Sequence, residues 1–579
     1  MHKHLMRAFA GIACLWFGAF GAEAAGDAAI PKTIAYSAAP TAYFDEHASE
    51  VATIYDGFFF VLGDWDEGVR ANVGLGPDSP AATDWMARAG KNLEHLRAAG
   101  VTENLLSVCF SETGAWPSPE TLLSADHAAK LARHFGRLGE VARELGFRGV
   151  SIDVEYPYRR YSLDNPVYKY DGYTAEDLTA AADRQGRAVM GAVLYAFPEA
   201  VVWVLPGVLG DRPIERAFAS AMLDVMAERD APGGLHLGSE RSYGLLDAVA
   251  QVAIPRSGDL AARALFQGKT LDYWKRRCTV APGVWPLHMV ETGSPDYPVR
   301  AWRDELAELR QQMQILRTVS KRYIWSFSGQ PVWYPYSAEL AQRYGLPKQD
   351  FDGAAEAIAG WHEVLRERKR SEDAGILKLA RVVRQFDRGR LSAAELCSRF
   401  GTPGDWLILG PLGNPFTHPA FSAPSLGVSP LCLDAAVDGR DGLVRWFRYR
   451  NFNALGQVNL PAAFGWRGMD DCSALLATTV IARSARDGYL WIGWDDGVVV
   501  RFDGQTVFSH PQYPERGHGM VFKDRYDFEE HVPLKIPKGE HLLTVTSINA
   551  KGRWGVNLRI GDENGFPLDG VSFSVCSTI

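Results

Sequence analysis

Along the first 350 residues, short apolar β-branched runs alternate with longer amphipathic segments, roughly once every forty residues. That rhythm restricts the fold more than any other feature of the chain. Strand-like runs fall at 33–37, 57–63, 104–111, 149–155, 200–206, 234–240, 283–291 and 323–329. Helical periodicity covers 43–54, 82–99, 124–145, 174–196, 213–230, 259–277, 300–320 and 351–369. Strands that each lead into a helix, over about 300 residues, match the arithmetic of an α/β (β/α)8 TIM-type barrel, whose strands are apolar because both faces are buried. An open doubly wound sheet is the competing topology. It usually announces itself with a Gly-rich phosphate loop after the first strand, and 33–40 (TIAYSAAP) has none.

The length of 579 residues exceeds one barrel, and the remainder divides by texture. Residues 1–24 read as a signal peptide: Lys3 and Arg7, an apolar run over 8–20, then Ala22-Glu23-Ala24 as the cleavage site. The run is shorter than the roughly 20 residues a membrane span needs. The expected destination is secreted or periplasmic, and no later stretch of the sequence reads as transmembrane. The barrel takes 25–350, a charged helical connector 351–403, and an antiparallel β-sandwich 404–579. A formal charge of −8 gives no general reason to bind nucleic acid. Beyond Cys14 in the leader, the six other cysteines are widely spaced with no CxxC, which argues against a zinc site or a disulfide scaffold. Export permits a disulfide among Cys432, Cys472 and Cys576.

In the C-terminal part, 488–508 (GYLWIGWDDGVVVRFDGQTVF) reads as strand, turn, strand, turn, strand. Strands follow around 541–548 and 554–560. These segments resemble the galactose-binding-like jelly-roll modules of secreted carbohydrate-active enzymes. Asp495, Asp496 and Asp503 offer oxygen ligands to a structural calcium, although Asp-Gly is foremost turn chemistry; no other cofactor is expected.

Chemistry on such a barrel is sought at the C-terminal strand ends. Those ends offer Asp64, Asp66, Glu112, Asp153, Glu155, Glu240 and Glu291, with Trp65, Trp116, Tyr156, Tyr158, Trp285, Trp325 and Trp333 on or beside them. Carboxylates ringed by flat aromatic faces suit a polyhydroxylated sugar ring. Packing in the core is the alternative role for some of these aromatics.

The sharpest motif is 147–157, FRGVSIDVEYP. Strand alternation turns Ser151, Asp153 and Glu155 into the barrel and Val150, Ile152 and Val154 toward the helices. At about 3.3 Å per residue the two acidic Cα atoms are roughly 6.6 Å apart. Like charges that close cannot both ionise freely, so one acid should keep its proton, as a general acid requires. The bland alternative has Asp153 capping the next loop and Glu155 pairing with Arg159 or Arg160.

The segment resembles the active-site strand of family 18 glycoside hydrolases, the chitinase-like barrels with the motif DGxDxDxE followed by Tyr-Pro. The resemblance implies Glu155 as proton donor to the leaving oxygen. Asp153 would orient a substrate acetamido group that itself attacks the anomeric carbon. Tyr243 after strand six and Trp325 on strand eight would contact the sugar. Arg148 and Ser151 replace two of the motif's acids, and Val154 stands where an aromatic is common. A second mechanism pairs Glu155 with a nucleophile at the end of strand seven, where Glu291 falls, about 5–5.5 Å apart in retaining enzymes; Glu240 is a third partner. Arg159 and Arg160 among tyrosines match carboxylates of an acidic polysaccharide. A catalytic metal has little support: His236, His288 and Glu291 could converge, but no HExxH is present. The expectation is an exported glycoside hydrolase acting on a polysaccharide or oligosaccharide. The alternative is a non-catalytic glycan-binding protein of the cell envelope.

Overall fold

Eight parallel strands close into a barrel in chain order: β1 (Lys32–Ala38), β2 (Gly57–Val61), β3 (Leu105–Cys109), β4 (Gly149–Asp153), β5 (Val201–Leu205), β6 (Leu235–Ser239), β7 (Thr279–Val284) and β8 (Tyr323–Ser326). This computed structural model describes residues 29–62, 80–109, 120, 123–153, 173–205, 207, 213–243, 247–287, 301–327, 333–349, 351–413, 436–450, 453–465, 469–511, 530–550 and 554–575. The expected signal peptide lies outside them. Among the described residues no helix is long and apolar enough to cross a membrane.

The barrel's helices are α1 (Ala42–Val51), α2 (Pro80–Ala98), α3 (Ala125–Leu145), α4 (Ala175–Ala196), α5 (Pro213–Glu228), α6 (Ala248–Leu265), α7 (Gly268–Arg277) and α8 (Trp302–Val319). Local chemistry sets their ends. Ser124 caps α3, which stops at Gly146 in the left-handed region (φ 82°). Thr174 and Asp177 form a capping box on α4.

Two elements depart from the sequence reading. Strand seven is Thr279–Val284, not 283–291, in register with β6 from His236↔Thr279 to Ser239↔Pro282. Pro282 looks like punctuation, whereas the closed barrel carries the strand through it and demands a residue without a side chain at Gly283. A Cβ on Gly283 would lie 2.7 Å from the Tyr243 ring and 2.8 Å from that of Trp325. Glu291 therefore does not end strand seven but lies well beyond Val284. The second departure is α6, which begins at Ala248 rather than 259 and carries Pro255 inside it. An internal proline normally ends a helix. Here every residue from Val249 to Ser257 is buried, and packing on all sides overrides the local penalty.

Helix α6 is also where the modules meet. After β8 comes α9 (Ala338–Tyr344), and the connector supplies α10 (Ala354–Glu367), α11 (Ala374–Asp387) and α12 (Ala393–Arg399). Val249, Val252 and Leu260 of α6 share one apolar cluster with Leu379 and Phe386 of α11 and Leu396 of α12. A charge network lies beside it: Arg256 contacts Asp259 (2.7 Å) and Asp387 (3.2 Å), and Lys321 contacts Asp259 (3.2 Å). Trp274 Nε1 donates to the other Asp259 oxygen at 3.1 Å, and Arg256 Nη2 donates to the Val319 carbonyl at 2.7 Å.

The C-terminal part is antiparallel, as its turns predicted. One sheet orders β12 (Phe447–Arg450), β9 (Asp405–Leu412), β14 (Cys472–Ala482), β19 (Gly539–Asn549), β16 (Gly497–Phe502) and β17 (Gln505–His510), with β21 (Val571–Ser574) also on β14. The other orders β13 (Gln457–Asn459), β20 (Gly555–Gly561), β15 (Arg486–Trp494) and β18 (Glu530–Ile536), and a β10–β11 hairpin (Ala436–Gly439, Gly442–Arg445) stands apart. Both larger sheets contribute to one core that includes Trp406, Leu476, Ile492, Trp494, Val545 and Leu558, the arrangement of a β-sandwich. The Asp503 carboxylate accepts from Leu542 N and contacts His541 Nδ1, and Asp496 accepts from Ala550 N. Both acids thus anchor turns. Cys472 is a free, buried thiol that donates to the Met469 carbonyl, and burial pushes its pKa up to about 12. It is not a disulfide partner.

Candidate active site

Strand alternation sends one set of side chains into the barrel interior. Ile34 and Tyr36 of β1, Phe59 of β2, Trp203 and Leu205 of β5, and Tyr323 and Trp325 of β8 form one buried cluster with Tyr243. Val150 and Ile152 of β4 belong to the layer between strands and helices, so Ser151 and Asp153 turn inward.

Asp153 is the last residue of β4 and is 8% exposed. Tyr36 Oη, reaching from β1 across the barrel, donates to its Oδ2 at 3.2 Å. Phe59, Trp325 and Phe327 surround the Tyr36 ring with centroids at 5.4, 5.8 and 5.6 Å. The phenol is therefore held in place before any ligand arrives. Tyr36 was not singled out from the sequence, although its place two residues after Ile34 on an alternating strand was the available signal. Tyr36→Phe keeps the packing and removes the donor. A hydrogen bond to a charged group is worth about 1.5–3 kcal/mol, so the variant is expected to lower the urea midpoint of the full chain; a midpoint equal to the wild type's would mean that the bond stabilises nothing.

Trp325 lies over the mouth's floor with its Nε1 donating to the Ala281 carbonyl at 3.1 Å. Glycines make that possible. A Cβ at Gly238 would clash with Leu205 and come within 3.5 Å of the Trp325 nitrogen, and one at Gly283 would lie 2.8 Å from the same indole. Gly283→Ala is expected to cost about 1–3 kcal/mol through overpacking, read as a lower urea midpoint; an unshifted midpoint would mean that the two rings move aside freely.

After β6 the chain makes a single 3-10 turn, Glu240–Ser242, that ends at Tyr243. Tyr243 N donates to Glu240 O at 3.0 Å, Ser242 Oγ to the Gly283 carbonyl, and Gln312 Nε2 of α8 to the Ser242 carbonyl at 2.6 Å. The Tyr243 ring stacks on Phe327 (5.9 Å, 20°) and meets Trp325 and Trp285 edge-on at 5.5 and 5.6 Å. Asp153, Glu240, Tyr243 and Trp325 thus sit on the same end of the barrel, the one that the parallel strands point to. Glu155, Glu291, Tyr156, Tyr158, Arg159, Arg160, Trp65 and Trp116 lie outside the described residues.

Two expectations change. Trp333 is not at the mouth: it is 3% exposed, stacked on Phe44 at 4.7 Å and edge-on to Phe58 in the layer between strands and helices. Its place after strand eight suggested a sugar platform, whereas its indole packs into the core. His236 is not at the mouth either. It lies near the start of β6, where its ring contacts Thr279 Oγ1 (2.8 Å), Gly233 O and Arg322. Burial first, then the Arg322 charge, pull its pKa down to about 3, so it is a neutral core residue. Among the described residues no group of three or more His, Cys, Asp or Glu could hold a metal ion.

No family model and no curated protein matches the chain. Solved structures do match, at low similarity. They include a fungal endo-β-N-acetylglucosaminidase from glycosyl hydrolase family 18 (13% identity, 59% of this chain and 99% of that one, TM-score 0.33) and a family 18 chitinase from Pseudoalteromonas aurantia (11%, 57% and 99%, 0.31). An Old Yellow Enzyme from Pichia sp. stands beside them (11%, 56% and 86%, 0.30). Likeness at this level carries no functional weight.

Proposed function

We propose that the chain is an exported glycoside hydrolase that cleaves a polysaccharide or oligosaccharide at the C-terminal mouth of the barrel. The observation that carries this reading is Asp153: an inward carboxylate at the end of strand four, hydrogen-bonded by Tyr36, whose own ring is packed edge-on against Trp325. A barrel with no reaction to perform has little use for a nearly buried acid among aromatic rings, since burying a charge is costly unless it is paired and hydrogen-bonded.

In this reading Glu155, two residues on, protonates the leaving glycosidic oxygen, and Asp153 orients the group that attacks the anomeric carbon. Trp325 and Tyr243, 2% and 4% exposed, form the packed aromatic floor beneath the sugar. The shift of strand seven removes the positional argument for Glu291 as nucleophile, which favours the substrate-assisted route. Glu240 is the remaining carboxylate partner from another strand. The sandwich, read as galactose-binding-like, is an accessory module, and Arg159 and Arg160 suit an acidic glycan.

The test is to incubate the mature protein with neutral, amino and acidic polysaccharides and detect released oligosaccharides, with Glu155→Gln as the control. Release that depends on Glu155 is expected. Binding without cleavage across the panel would replace this reading with a non-catalytic glycan-binding protein, and cleavage that survives Glu155→Gln would put the site elsewhere.

A further inference from the structure

Inside the barrel, β3, β4 and β5 place Ser107, Ser151 and Trp203 in one row: Ser107 is in register with Ser151, and Ser151 with Trp203. Their strand neighbours Leu106, Val108, Val150, Ile152, Val202 and Val204 belong to the layer that faces the helices, so the row itself turns inward. All three side chains are buried, Ser151 and Trp203 completely. Asp153 stands two residues nearer the mouth than Ser151, on the same face of β4.

This row holds two polar atoms that no protein group satisfies. Ser151 Oγ and Trp203 Nε1 are both buried without a hydrogen-bond partner among the described residues. Other polar groups of the interior are paired: Tyr323 Oη donates to Glu103 (2.8 Å), His236 Nδ1 contacts Thr279 Oγ1 (2.8 Å), and the second interior indole, Trp325, donates to the Ala281 carbonyl. Trp203 cannot swing to such an acceptor, because Phe59, Tyr323 and His236 wall its ring with centroids at 5.0, 5.1 and 6.0 Å. An unpaired buried donor is costly, and protein interiors meet that need with internal water. Serines at 107 and 151, each with a single heavy atom beyond Cβ, leave room for it beside the indole.

We propose that one internal water bridges Ser151 Oγ and Trp203 Nε1 and takes its third hydrogen bond to the Asp153 carboxylate, which makes Ser151 and Trp203 positioning residues for that acid. Donor chemistry sets the directions. An indole N–H only donates, so the water accepts from Trp203; a carboxylate only accepts, so the water donates to Asp153; the serine hydroxyl can give or take. Two hydrogen bonds of about 2.8 Å span up to about 5.6 Å, and the Cα atoms of Ser151 and Asp153 are roughly 6.6 Å apart. Asp153 is then held from β1 by Tyr36 and from beneath by the water. The kinetic consequence rests on the glycosidase reading, whereas the water site does not.

Nitrogen-15 labelling of the indoles in the full chain tests the site. The Trp203 N–H, assigned by its loss in Trp203→Phe, is expected to show an NMR cross-peak to a bound water. Ser151→Val, whose methyls take the water's place, is expected to abolish it. A crystal structure of the wild type should place an ordered water within about 3.2 Å of Ser151 Oγ, Trp203 Nε1 and an Asp153 oxygen. On any glycan the wild type cleaves, Ser151→Ala, which keeps the space and removes one partner, is expected to lower kcat about fivefold, the worth of one ordinary hydrogen bond, with KM unchanged. No water signal at Trp203 would overturn the proposal, as would a water that meets the serine and the indole but not Asp153, or a Ser151→Ala kcat equal to the wild type's. If the wild type cleaves nothing, the glycosidase reading fails, and the indole spectrum and the crystal still decide the water.

Discussion

Glutamine at position 155 is expected to reduce kcat by about 10²–10⁴-fold, the usual contribution of a positioned general acid, with the melting temperature unchanged. The amide matches the carboxylic acid in shape but has no proton of suitable acidity to give. Its neighbour Asp153 should behave differently. On the proposed glycosidase reading, Asp153→Asn leaves Glu155 in place but weakens the bond from Tyr36 and removes the charge proposed to orient the attacking group, so kcat should fall while a good aryl leaving group, which needs little protonation, restores less of the loss than it does in Glu155→Gln. Initial rates on a natural glycan and on an aryl glycoside separate the two roles. Retention of more than a tenth of wild-type activity by Glu155→Gln would remove Glu155 from the mechanism.

The largest loss of stability is expected from Arg256→Met. Arg256 and Asp259 are almost wholly buried, and the guanidinium also reaches Asp387 and the Val319 carbonyl. Taking away one member of a buried pair leaves an uncompensated charge and costs about 3–5 kcal/mol. Urea unfolding of the full chain reads it, and a loss below about 1 kcal/mol would mean that Lys321 compensates. The network also sets an acid limit. Burial by itself would raise the Asp259 pKa, but the charges of Lys321, Arg256 and Arg263 outweigh it and hold the carboxyl below its ordinary 3.8. A carboxylate with a lowered folded-state pKa contributes stability that is present above the unfolded value and lost as pH falls through the folded one. Wild-type stability should therefore drop as pH falls below about 4, and Asp259→Asn, though less stable at neutral pH, should show a shallower acid limb.

Much of the architecture was legible because it follows from periodicity. The β4 segment 149–153 shows why: Val150 and Ile152 had to meet helices, which left Ser151 and Asp153 facing inward, and no long-range information was needed. Read locally, strand seven begins only at Gly283, because Pro282 carries the signature of a break, whereas the strand runs through it from Thr279 to Val284. The need for a side-chain-free position there comes from Tyr243 and Trp325, residues about forty positions away on either side. Helix α6 was started late for a related reason, since the penalty of Pro255 is local and the burial that offsets it arises from three modules. Tyr36 and Trp333 make the same contrast at the site. Both are aromatic and near a strand end, yet one meets Asp153 and the other stacks on Phe44.

By itself, then, the sequence determined the elements: eight strand-helix units, a connector, an antiparallel module, and an acidic strand-four motif with a carboxylate on its inward face. These depend on patterns within a few residues of one another, where alternation and helical period act directly. Tertiary structure alone decided which side chains meet. It gave Asp153 its partner on β1, sent Trp333 and His236 into the core, and set Arg559 against Asp247, because closing a barrel and seating a sandwich on it join positions that no local rule relates.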